Sequence, residues 1–471
     1  MRLSRAMKSF FGKGRTVYGL SAPGRLDVMG GIADYSGSLV LQMPTVERTE
    51  VYMALRADDI LRVRSETASE AGLEEEMEID LKTLLESPPK TIYQNANRIL
   101  ASNPKTSWAA YVLGCVVCMY HEANLEIGGA DFWIDTNVPI GKGVSSSAAL
   151  EIATITLLSR VLWNSVEDNQ LPALAQIVEN RIVGAPCGLM DQLATYYGQK
   201  AKLLPILCRP DRVDAPISIP PKVYFIGIDS GERHAVSGSS YSDVRTAAFM
   251  GYGIIAKQQG LTKTEAKNAK ETGKQNGLPY KGYLTDISPS RFVHRYEKLL
   301  PEKIEGGAFK KRHGSTIDPI TEPQNGREYM VRACTAHPIY EHFRVKEFSL
   351  LLKFLNAETF NTTDREALFR QMGELMYQSH MSYSRCGLGT PATDALVEKA
   401  YAAGPKQGVY GAKITGGGAG GTVCFLCFEQ KGRKTVEAIA EEHARQFGCE
   451  NTVFRGSSNG AKLTSMGTWE L

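Results

Sequence analysis

The most informative stretch of this sequence is Val138-Pro-Ile-Gly-Lys-Gly-Val-Ser-Ser-Ser-Ala-Ala-Leu150. Gly141 and Gly143 permit a tight turn that presents bare backbone, and three serines follow where a helix-forming run begins. Backbone N–H groups of a glycine-rich turn at a helix N-terminus can bind an anion, and a nucleotide phosphate is the obvious candidate. The stretch is not a Walker A loop, because no Gly-Lys-Ser/Thr ends it. By itself it is also consistent with a Gly/Ser turn that caps an ordinary helix.

The composition is that of a soluble globular protein with two or more domains. The chain has 471 residues, of which 43% are hydrophobic and 22% are charged, and both values are ordinary for this class. The net charge of +3 is small for this length, so we expect no nucleic-acid or membrane partner. No apolar run reaches the roughly 18 residues that a membrane helix needs.

The cysteines favour a reducing, cytoplasmic location. There are nine of them, an odd number in a long chain, which favours free thiols. Cys115-x-x-Cys118 lies in a predicted helix and Cys424-x-x-Cys427 in a predicted strand. A zinc site that pairs these motifs is one interpretation, but we expect them to be small core residues. Residues 1–15, with five basic and no acidic side chains, predict a basic surface helix, with an organelle-targeting remnant as the alternative.

The order of elements predicts a mixed α/β (α+β) fold in two domains. Strands are predicted at 16–22, 39–43, 50–57, 129–135 and 223–229, with one or two more between 61 and 81. Helices are predicted at 108–123, from 148 onward, and at 171–184, 241–255, 329–337, 339–355, 365–381, 392–402 and 435–447. Prolines cluster between residues 205 and 221, which indicates domains 1–215 and 216–471. Residues 256–330 are predicted to form an irregular, partly helical insertion.

Two segments with aspartates are candidates for a binding or catalytic site. Arg25-Leu-Asp-Val-Met-Gly-Gly-Ile-Ala-Asp-Tyr-Ser-Gly37 brings an arginine and two acids close to glycines. A carboxylate accepts hydrogen bonds from two vicinal hydroxyls, which suits a sugar, although a surface turn with a local ion pair is the alternative. Asp191 follows a Pro/Gly turn, where an ordinary first-turn helix acid is the alternative to a catalytic group.

A further glycine-rich segment lies between two predicted strands near the C-terminus. It is Gly411-Ala-Lys-Ile-Thr-Gly-Gly-Gly-Ala-Gly-Gly-Thr-Val-Cys-Phe-Leu426, with five glycines in the six positions 416–421. This density of glycine indicates backbone that passes close to a ligand or to another loop.

Taken in order, these segments resemble the three signature motifs of the GHMP small-molecule kinases. The matching segments are Ala22–Tyr35, Pro139–Ala149 and Lys413–Gly421, and Gly184–Gln192 is similar to galactokinases as well. The resemblance covers roughly residues 16 to 465 and is strongest to the kinase part of the L-arabinokinase branch of the family, including residues 337–345 and 380–389. It implies a two-domain GHMP kinase fold with the active site in the cleft between the domains.

The resemblance also implies a role for each matching residue. Asp191 corresponds to the catalytic base, and Arg25 to the arginine that keeps this base ionised and neutralises phosphoryl charge. The positions implied for the sugar are Asp27, Gly31, Ile32, Asp34, Tyr35, Gly188 and Tyr241, the last of which is one residue away from the family's tyrosine. The positions implied for the ATP phosphates are Gly141, Lys142, Gly143, Val144, Ser145, Ser146, Ser147 and Ala148, and Ser147 with Glu179 would bind Mg²⁺.

Positions 31 and 32 bear on the choice of sugar. Galactokinases usually carry Glu-His where this chain has Gly31-Ile32, and in the family this pair lies at the C6 hydroxymethyl end of galactose. L-arabinopyranose has the hydroxyl configuration of D-galactose without C6, so a pentose would leave both polar groups unpaired, at a cost of about 1–3 kcal/mol each. Their absence favours L-arabinose, and Gly31→Glu with Ile32→His is predicted to shift the preference toward galactose.

We therefore expect an ATP- and Mg²⁺-dependent sugar 1-kinase that acts on L-arabinose first and D-galactose second, as a monomer or weak dimer. A uronic-acid kinase is a third interpretation, but it would need a basic residue near Gly31-Ile32, and none stands there. A catalytically silent sugar and ATP sensor on the same scaffold is the alternative from another functional class. Such proteins lose part of the serine or glycine motif, whereas the three serines, Arg25 and Asp191 are all present here.

Overall fold

The computed structural model of the protein describes residues 3–162, 167, 169–185, 187–209, 211–232, 239–273, 275, 277–357 and 360–471. Strands and helices alternate around two sheets, which confirms the predicted mixed α/β class. The strands are β1 Thr16–Met29, β2 Leu39–Leu55, β3 Ile60–Ser65, β4 Glu76–Asp80, β5 Ala130–Thr136, β6 Lys202–Cys208, β7 Asp211–Val213, β8 Ile217–Ser218, β9 Val223–Asp229, β10 Ile304–Glu305, β11 Glu328–Tyr329, β12 Val409–Ile414, β13 Thr422–Phe428, β14 Val453–Arg455 and β15 Gly467–Glu470.

The helices of the described residues account for the rest of the regular structure. They are α1 Arg5–Phe11, α2 Leu81–Leu85, α3 Ile92–Leu100, α4 Ala110–Ala123, α5 Ser146–Val161, α6 Leu171–Ile177, α7 Met190–Tyr197, α8 Ser239–Gln258, α9 Lys263–Thr272, α10 Pro289–Arg291, α11 Gly306–His313, α12 Val331–Ala357, α13 Thr362–Arg385, α14 Pro391–Ala403 and α15 Glu429–Phe447. A 3₁₀ turn spans Gly31–Ser36, and a π-helical turn, Val178–Val183, continues α6.

The first sheet is built mainly from the N-terminal part of the chain. Its order is β15-β1-β2-β5-β3-β4, with β6 paired to the start of β2, and β7 and β8 paired to β6. All pairs are antiparallel except β3 with β5. Helices α4, α5 and α6 cover it through a core that includes Leu20, Val51, Phe132 and Ile152. This packing places the N-terminus of α5 beside β1.

The second sheet has the order β12-β13-β9-β14 and is antiparallel throughout. Its core, with Ile226, Phe425 and Ile439, is continuous with residues from α8, α12 and α15. A further core that includes Leu26, Met43, Phe225, Phe348 and Leu426 joins the two sheets. Because Leu26 belongs to β1 and Leu426 to β13, this core brings the segment after β1 to the same region as the glycine-rich loop between β12 and β13.

Strand β2 differs from the sequence prediction, which divided it into two strands around Pro44. The structure shows one strand of 17 residues. Pro44 has no N–H to donate, and it lies opposite Arg25 beside a bulge in β1. There the Arg25 N–H leaves the ladder and donates to the Val144 carbonyl at 2.9 Å. A proline at a bulge removes no ladder bond, so the strand continues through it.

Helix α12 also differs, because the sequence predicted a break at Pro338. The helix runs unbroken for 27 residues with Pro338 inside it. His337, Ile339 and Glu341 around the proline are all buried. The tertiary packing of this turn therefore outweighs the lost backbone hydrogen bond, which costs about 3 kcal/mol in an isolated helix.

The two sheets bear on the predicted division into domains 1–215 and 216–471. Strand β8 still belongs to the first sheet and β9 opens the second, while β15 returns to the first sheet beside β1. We propose the boundary near residue 215 on this basis, with the C-terminal strand assigned to the first domain. The insertion 256–330 is irregular and partly helical in its described residues, which include α9, α11 and the paired β10 and β11; residues 274 and 276 lie outside them.

Three smaller predictions concern the cysteines, the N-terminus and the membrane. The nine cysteines are free thiols, and Cys115, Cys118, Cys424 and Cys427 are fully buried, which confirms their core role. Helix α1 is basic, but its Met7 and Phe11 side chains pack beside Trp133. Across the described ranges, no helix has both the length and the apolar surface to cross a bilayer.

Candidate active site

The loop before α5 has a backbone suited to close approach by a ligand. Gly141 and Gly143 have φ values of 73° and 72°, and Ser145 has a φ of 59°, which is strained for a residue with a Cβ atom. Ser145 is the N-cap of α5, but its side chain does not cap the helix, because the hydroxyl donates to Asp191. The first-turn N–H groups of α5 thus lack a side-chain cap at the positive end of the helix dipole, where an anion binds.

The phosphate loop, residues 139–145, is held in place by other elements. Thr422 Oγ1 donates to the Lys142 carbonyl at 2.8 Å. The Lys142 ammonium pairs with Asp229 Oδ2 at 2.7 Å. Because Asp229 ends β9 and Thr422 begins β13, the second sheet fixes the position of the phosphate loop.

The glycine-rich loop, residues 415–421, packs directly on the phosphate loop. A Cβ atom at Gly416 would lie 3.1 Å from the Gly143 carbonyl, and one at Gly421 would lie 3.1 Å from the Lys142 carbonyl. Both glycines have positive φ values, 59° and 78°. The sequence predicted close backbone approach for this segment, and the structure confirms it and identifies the other loop.

Asp191, Arg25 and Ser145 form a hydrogen-bonded cluster beside the phosphate loop. Arg25 Nε and Nη2 donate to Oδ1 and Oδ2 of Asp191 at 2.9 and 3.0 Å, and Nη1 donates to the Gly143 carbonyl at 2.6 Å. Ser145 Oγ donates to Asp191 Oδ2 at 2.5 Å. Burial lowers the pKa of Arg25, but the charges of Asp191 and Asp27 outweigh it and raise this pKa above its ordinary value. A permanent cation therefore faces the Asp191 carboxylate.

A group of buried acids lies next to this cluster. Gln192 Nε2 donates to Glu179 Oε2 at 2.7 Å and to Glu151 Oε2 at 3.1 Å. Burial and the charge of Asp191 raise the pKa of Glu179 to about 7, while a hydrogen bond from Ser147 lowers it in part. Glu151 Oε1 has no hydrogen-bond partner among the described residues.

This group of acids fits a divalent cation. Buried carboxylates without enough partners destabilise the protein, and Mg²⁺ prefers oxygen ligands from one or two protein groups together with phosphates and water. Ser147 and Glu179 supply such oxygens. The described residues hold no group of three or more His, Cys, Asp or Glu side chains suited to a metal.

A pocket of about 140 Å³, which we call the polar pocket after the charged and hydroxyl side chains that line it, unites most of the predicted site residues. Its lining includes Arg25, Gly31, Ile32, Asp34, Gly141, Gly143, Ser145, Ser146, Ser147, Glu179, Cys187, Gly188, Asp191, Tyr241, Gly416 and Gly417. Gly188 lies directly against Asp34, because a Cβ atom at position 188 would be 2.3 Å from Asp34 Oδ2. Gly416 and Gly417 were not among the predicted residues, although their motif was.

A second, mostly apolar cavity of about 340 Å³ lies next to the phosphate loop, and the sequence did not reveal it. Its apolar lining includes Trp108, Tyr111, Ile134, Val138, Ile140, Leu150 and Ile182, and it shares Gly141, Ser146 and Ser147 with the polar pocket. Such walls suit a flat, largely apolar group such as a nucleobase. The available signal was Trp108 at the start of an apolar helix, but the same pattern is typical of ordinary core packing.

Asp34 is a further buried acid that lines the polar pocket. It is 7% exposed, and its Oδ1 accepts a hydrogen bond from the Tyr35 N–H at 2.7 Å. Burial raises the pKa of Asp34 to about 7, with a further contribution from the charge of Asp191. The carboxyl is therefore half ionised near neutral pH.

This titration predicts that sugar binding depends on pH. If the Asp34 carboxylate accepts hydrogen bonds from sugar hydroxyls, the KM for sugar is expected to fall about tenfold between pH 6 and pH 8, as the ionised fraction rises through a pKa of about 7. The raised pKa of Asp34 also makes the free energy of unfolding depend on pH. The contribution from the neutral carboxyl is fully present below pH 3.8, the pKa in the unfolded chain, and is lost as the pH rises through the folded pKa of about 7. Steady-state kinetics across this range measure the effect, and Asp34→Asn should make the KM high and nearly constant; a pH-independent KM in the wild-type protein would contradict the assignment.

Two of the residues predicted to bind the sugar, Asp27 and Tyr35, do not line the polar pocket. Asp27 is fully buried, and its carboxylate accepts hydrogen bonds from Lys413 Nζ at 2.9 Å, Gln42 Nε2 at 2.6 Å and the Gly31 N–H at 3.0 Å. Tyr35 packs behind Asp34 against Tyr241, with 6.0 Å between the ring centroids. Asp27 thus supports the segment that a ligand would contact.

The structure leaves no room for the predicted restoration of Glu-His at positions 31 and 32. A Cβ atom at Gly31 would lie 1.6 Å from the Tyr383 hydroxyl oxygen, and Ile32 is 1% exposed within the C-terminal core. The double substitution alone is therefore expected to displace Tyr383 and distort the pocket, and the shift of preference toward galactose stays a prediction. Tyr383 lies within a segment that resembles the family, but no local pattern indicated its contact with Gly31.

Two sequence profiles match the chain, one in each part of the site. The GHMP kinases N terminal domain matches residues 110–199, which include the phosphate loop and Asp191. The GHMP kinases C terminal domain matches residues 364–448, which include the glycine-rich loop.

Whole-chain relatives agree with these matches. L-arabinokinase of Arabidopsis thaliana is 35% identical over 98% of this chain, and the chain spans 47% of the length of that relative. A galactokinase of Chloroflexus aggregans is 29% identical over 94% of this chain and 92% of its own length.

Solved structures show the same fold. The crystal structure of Lactococcus lactis galactokinase complexed with galactose is similar with a TM-score of 0.72 and 20% identity, over 99% of this chain and 98% of the other. A crystal structure of mevalonate kinase is similar with a TM-score of 0.51 and 16% identity, over 94% and 99% of the two chains.

Proposed function

We propose that this chain, which belongs to the GHMP kinase family and is galactokinase-like, is an ATP-dependent sugar 1-kinase that converts L-arabinose to L-arabinose 1-phosphate. The observation that carries this proposal is the Arg25–Asp191–Ser145 cluster. It lies where a phosphate-binding loop borders a small polar pocket that contains a second carboxylate. A base, a cation and an anion site thus converge within one pocket, as transfer of a phosphoryl group to a hydroxyl requires.

The two cavities suggest how the substrates divide the site. The adenosine of ATP fits the apolar cavity, its phosphates lie over residues 141–148, and the sugar occupies the polar pocket with Asp34 and Tyr241. Ser147 and Glu179 would hold the Mg²⁺ ion, which supplies charge neutralisation for the phosphates. Lys142 pairs with Asp229 and so holds the phosphate loop in place. The backbone N–H groups of this loop, rather than the Lys142 ammonium, would bind the phosphates.

Asp191 has one carboxylate position left for the sugar. Each of its oxygens accepts about two hydrogen bonds. Oδ2 accepts from Arg25 and Ser145, whereas Oδ1 accepts only from Arg25 among the described residues. Oδ1 therefore takes the proton of the anomeric hydroxyl. The sugar oxygen bonds to the γ-phosphorus, the bond to the bridging oxygen breaks, and ADP departs with that electron pair.

The wall of the polar pocket favours a pentose. Gly31 has no side chain and Ile32 is apolar, so no side-chain hydrogen-bond partner for an exocyclic hydroxymethyl group is present at these positions. A hexose that placed its C6 hydroxyl here would lose hydrogen bonds to water without replacement, which costs about 1–3 kcal/mol. The galactokinase relatives make D-galactose the substrate to compare.

A panel of sugars tests this function. The purified chain, supplied with ATP and Mg²⁺, is expected to release ADP in the presence of L-arabinose, with kcat/KM at least about tenfold higher than for D-galactose. Coupled ADP release and identification of the sugar 1-phosphate measure both values. D-galactose preferred by about tenfold or more would show a galactokinase, and D-glucuronate or D-galacturonate would show a uronic-acid kinase. Absence of turnover on all sugars, with ATP still bound, would show a sensor.

A further inference from the structure

Three consecutive backbone N–H groups of the sugar loop, which we define as residues 30–36, are each bound by a buried side chain. The Gly30 N–H donates to Glu341 Oε1 at 3.1 Å, the Gly31 N–H to Asp27 Oδ1 at 3.0 Å, and the Ile32 N–H to the Tyr383 hydroxyl at 3.0 Å. These acceptors lie on α12, β1 and α13. The sugar loop is therefore fixed by three different elements of the fold.

Tyr383 differs from the other two acceptors because it also binds the glycine-rich loop. Its hydroxyl donates to the Gly416 carbonyl at 3.0 Å, and Gly416 lines the polar pocket. The Tyr383 side chain is fully buried, and Lys413 Nζ lies 5.2 Å from the centre of its ring. One hydroxyl thus joins the sugar loop to the glycine-rich loop, and both loops line the pocket.

The same hydroxyl occupies the space of a side chain at position 31. A Cβ atom on Gly31 would lie 1.6 Å from Tyr383 Oη, and the next atoms, Tyr383 Cζ and Asp27 Oδ2, would be 2.9 Å away. Gly31 also has a φ of 40°, which favours glycine. The tyrosine and the glycine therefore depend on each other.

We propose that Tyr383 is a positioning residue that sets sugar specificity. Its hydroxyl fills the place of a side chain at position 31 and fixes the Ile32 backbone. This wall of the pocket therefore accepts a pentose and offers no hydrogen-bond partner to a hydroxymethyl group. This inference rests on the proposed sugar kinase function. Tyr383 does not line the pocket and acts through Gly31, Ile32 and Gly416.

Removal of the hydroxyl alone tests the inference. Tyr383→Phe is expected to raise the KM for L-arabinose about tenfold, with kcat and the KM for ATP changed less than about threefold, since two hydrogen bonds to the loops are lost. The preference for L-arabinose over D-galactose should fall about fivefold or more, because the loop is no longer fixed against the larger sugar.

Tyr252→Phe is the matched control. Tyr252 is also fully buried in the same core as Ile32, but its hydroxyl donates to the Pro279 carbonyl at 2.8 Å, which belongs to neither the sugar loop nor the glycine-rich loop. Both variants lose a buried hydroxyl, so a general loss of stability affects both. Only Tyr383→Phe should change the KM for sugar and the preference between the two sugars; equal effects of the two variants would overturn the inference.

A double-mutant cycle tests the direct contact. Gly31→Ala alone should lower kcat/KM for L-arabinose by about a hundredfold, whereas the same change in a Tyr383→Phe background should lower it by tenfold or less, because Oη is gone. Additive losses would overturn the inference and leave the proposed function intact. No turnover by the wild-type protein on any sugar would overturn both.

Discussion

Asp191→Asn is expected to lower kcat by about 10²–10⁴-fold, because it removes the base that accepts the sugar proton. The amide keeps the shape of the side chain, so ATP affinity should change less than about threefold. Arg25 retains its hydrogen bond to the Gly143 carbonyl at 2.6 Å, which limits the structural consequence. Single-turnover phosphoryl transfer and direct ATP-binding measurements separate chemistry from binding.

A matched control for Asp191→Asn is Ser145→Ala. Ser145 donates to Oδ2 of the same carboxylate but leaves the base in place. We expect a smaller loss, on the order of tenfold, because the base loses one of its orienting hydrogen bonds. If Asp191→Asn kept kcat within about tenfold of the wild-type value, the assignment of the base would be wrong. If the wild-type protein and both variants bound ATP and released no ADP with any sugar, the chain would be a sensor.

Lys413→Met is expected to lower the free energy of unfolding by about 3–5 kcal/mol, because it leaves a buried carboxylate without its partner. Lys413 and Asp27 are both fully buried and pair at 2.9 Å. Burial raises the pKa of Asp27, but the charge of Lys413 outweighs it and holds this pKa below the ordinary value of 3.8. The pair therefore stabilises the fold above pH 3.8 and loses this contribution as the pH falls through the folded pKa. Denaturant unfolding measures the loss.

The control for Lys413→Met is Lys399→Met. Lys399 pairs with Glu442, whose side chain is 60% exposed, and a surface ion pair contributes about 0–1 kcal/mol. Lys413→Met with Asp27→Asn should recover part of the loss, because no buried carboxylate remains unpaired. A Lys413→Met protein as stable as Lys399→Met would show that the buried pair is not important for stability. The KM for sugar should also rise in Lys413→Met, since Asp27 holds the Gly31 N–H.

Asp27 illustrates the limit of motif-based assignment. Its motif predicted a sugar ligand, because two aspartates and an arginine follow one another within ten residues. The structure separates them, because β1 has a register shift between Asp27 and Met29 and ends before Asp34. Asp34, which follows the strand on a 3₁₀ turn, lies in the pocket, whereas Asp27 lies beneath it with Lys413. The motif predicted which residue types come together, whereas the contacts of each residue depend on the tertiary structure.

Pro44 and Pro338 illustrate the same limit for secondary structure. Both prolines predicted interruptions, and both lie inside continuous elements. A proline removes one backbone hydrogen bond, and this loss can be predicted from the local sequence. The contacts that compensate for the lost hydrogen bond come from residues distant in the sequence. At Pro44 the compensation is a bulge opposite Arg25, and at Pro338 it is burial of the whole turn.

The sequence by itself determined the fold class and the nature of the site. Glycine spacing, three serines before a helix, and isolated acids are local features that suggest phosphate and sugar segments, and the resemblance of their order to GHMP kinases selected this interpretation over ordinary turns. The tertiary structure determined the rest: that Oδ1 of Asp191 accepts one hydrogen bond among the described residues while Oδ2 accepts two, that an apolar cavity adjoins the loop, and that Tyr383 fills the place of a side chain at Gly31. Gly31 and Tyr383 are more than 350 residues apart in the sequence, and such pairs meet only when helices and sheets pack, so no local pattern records them.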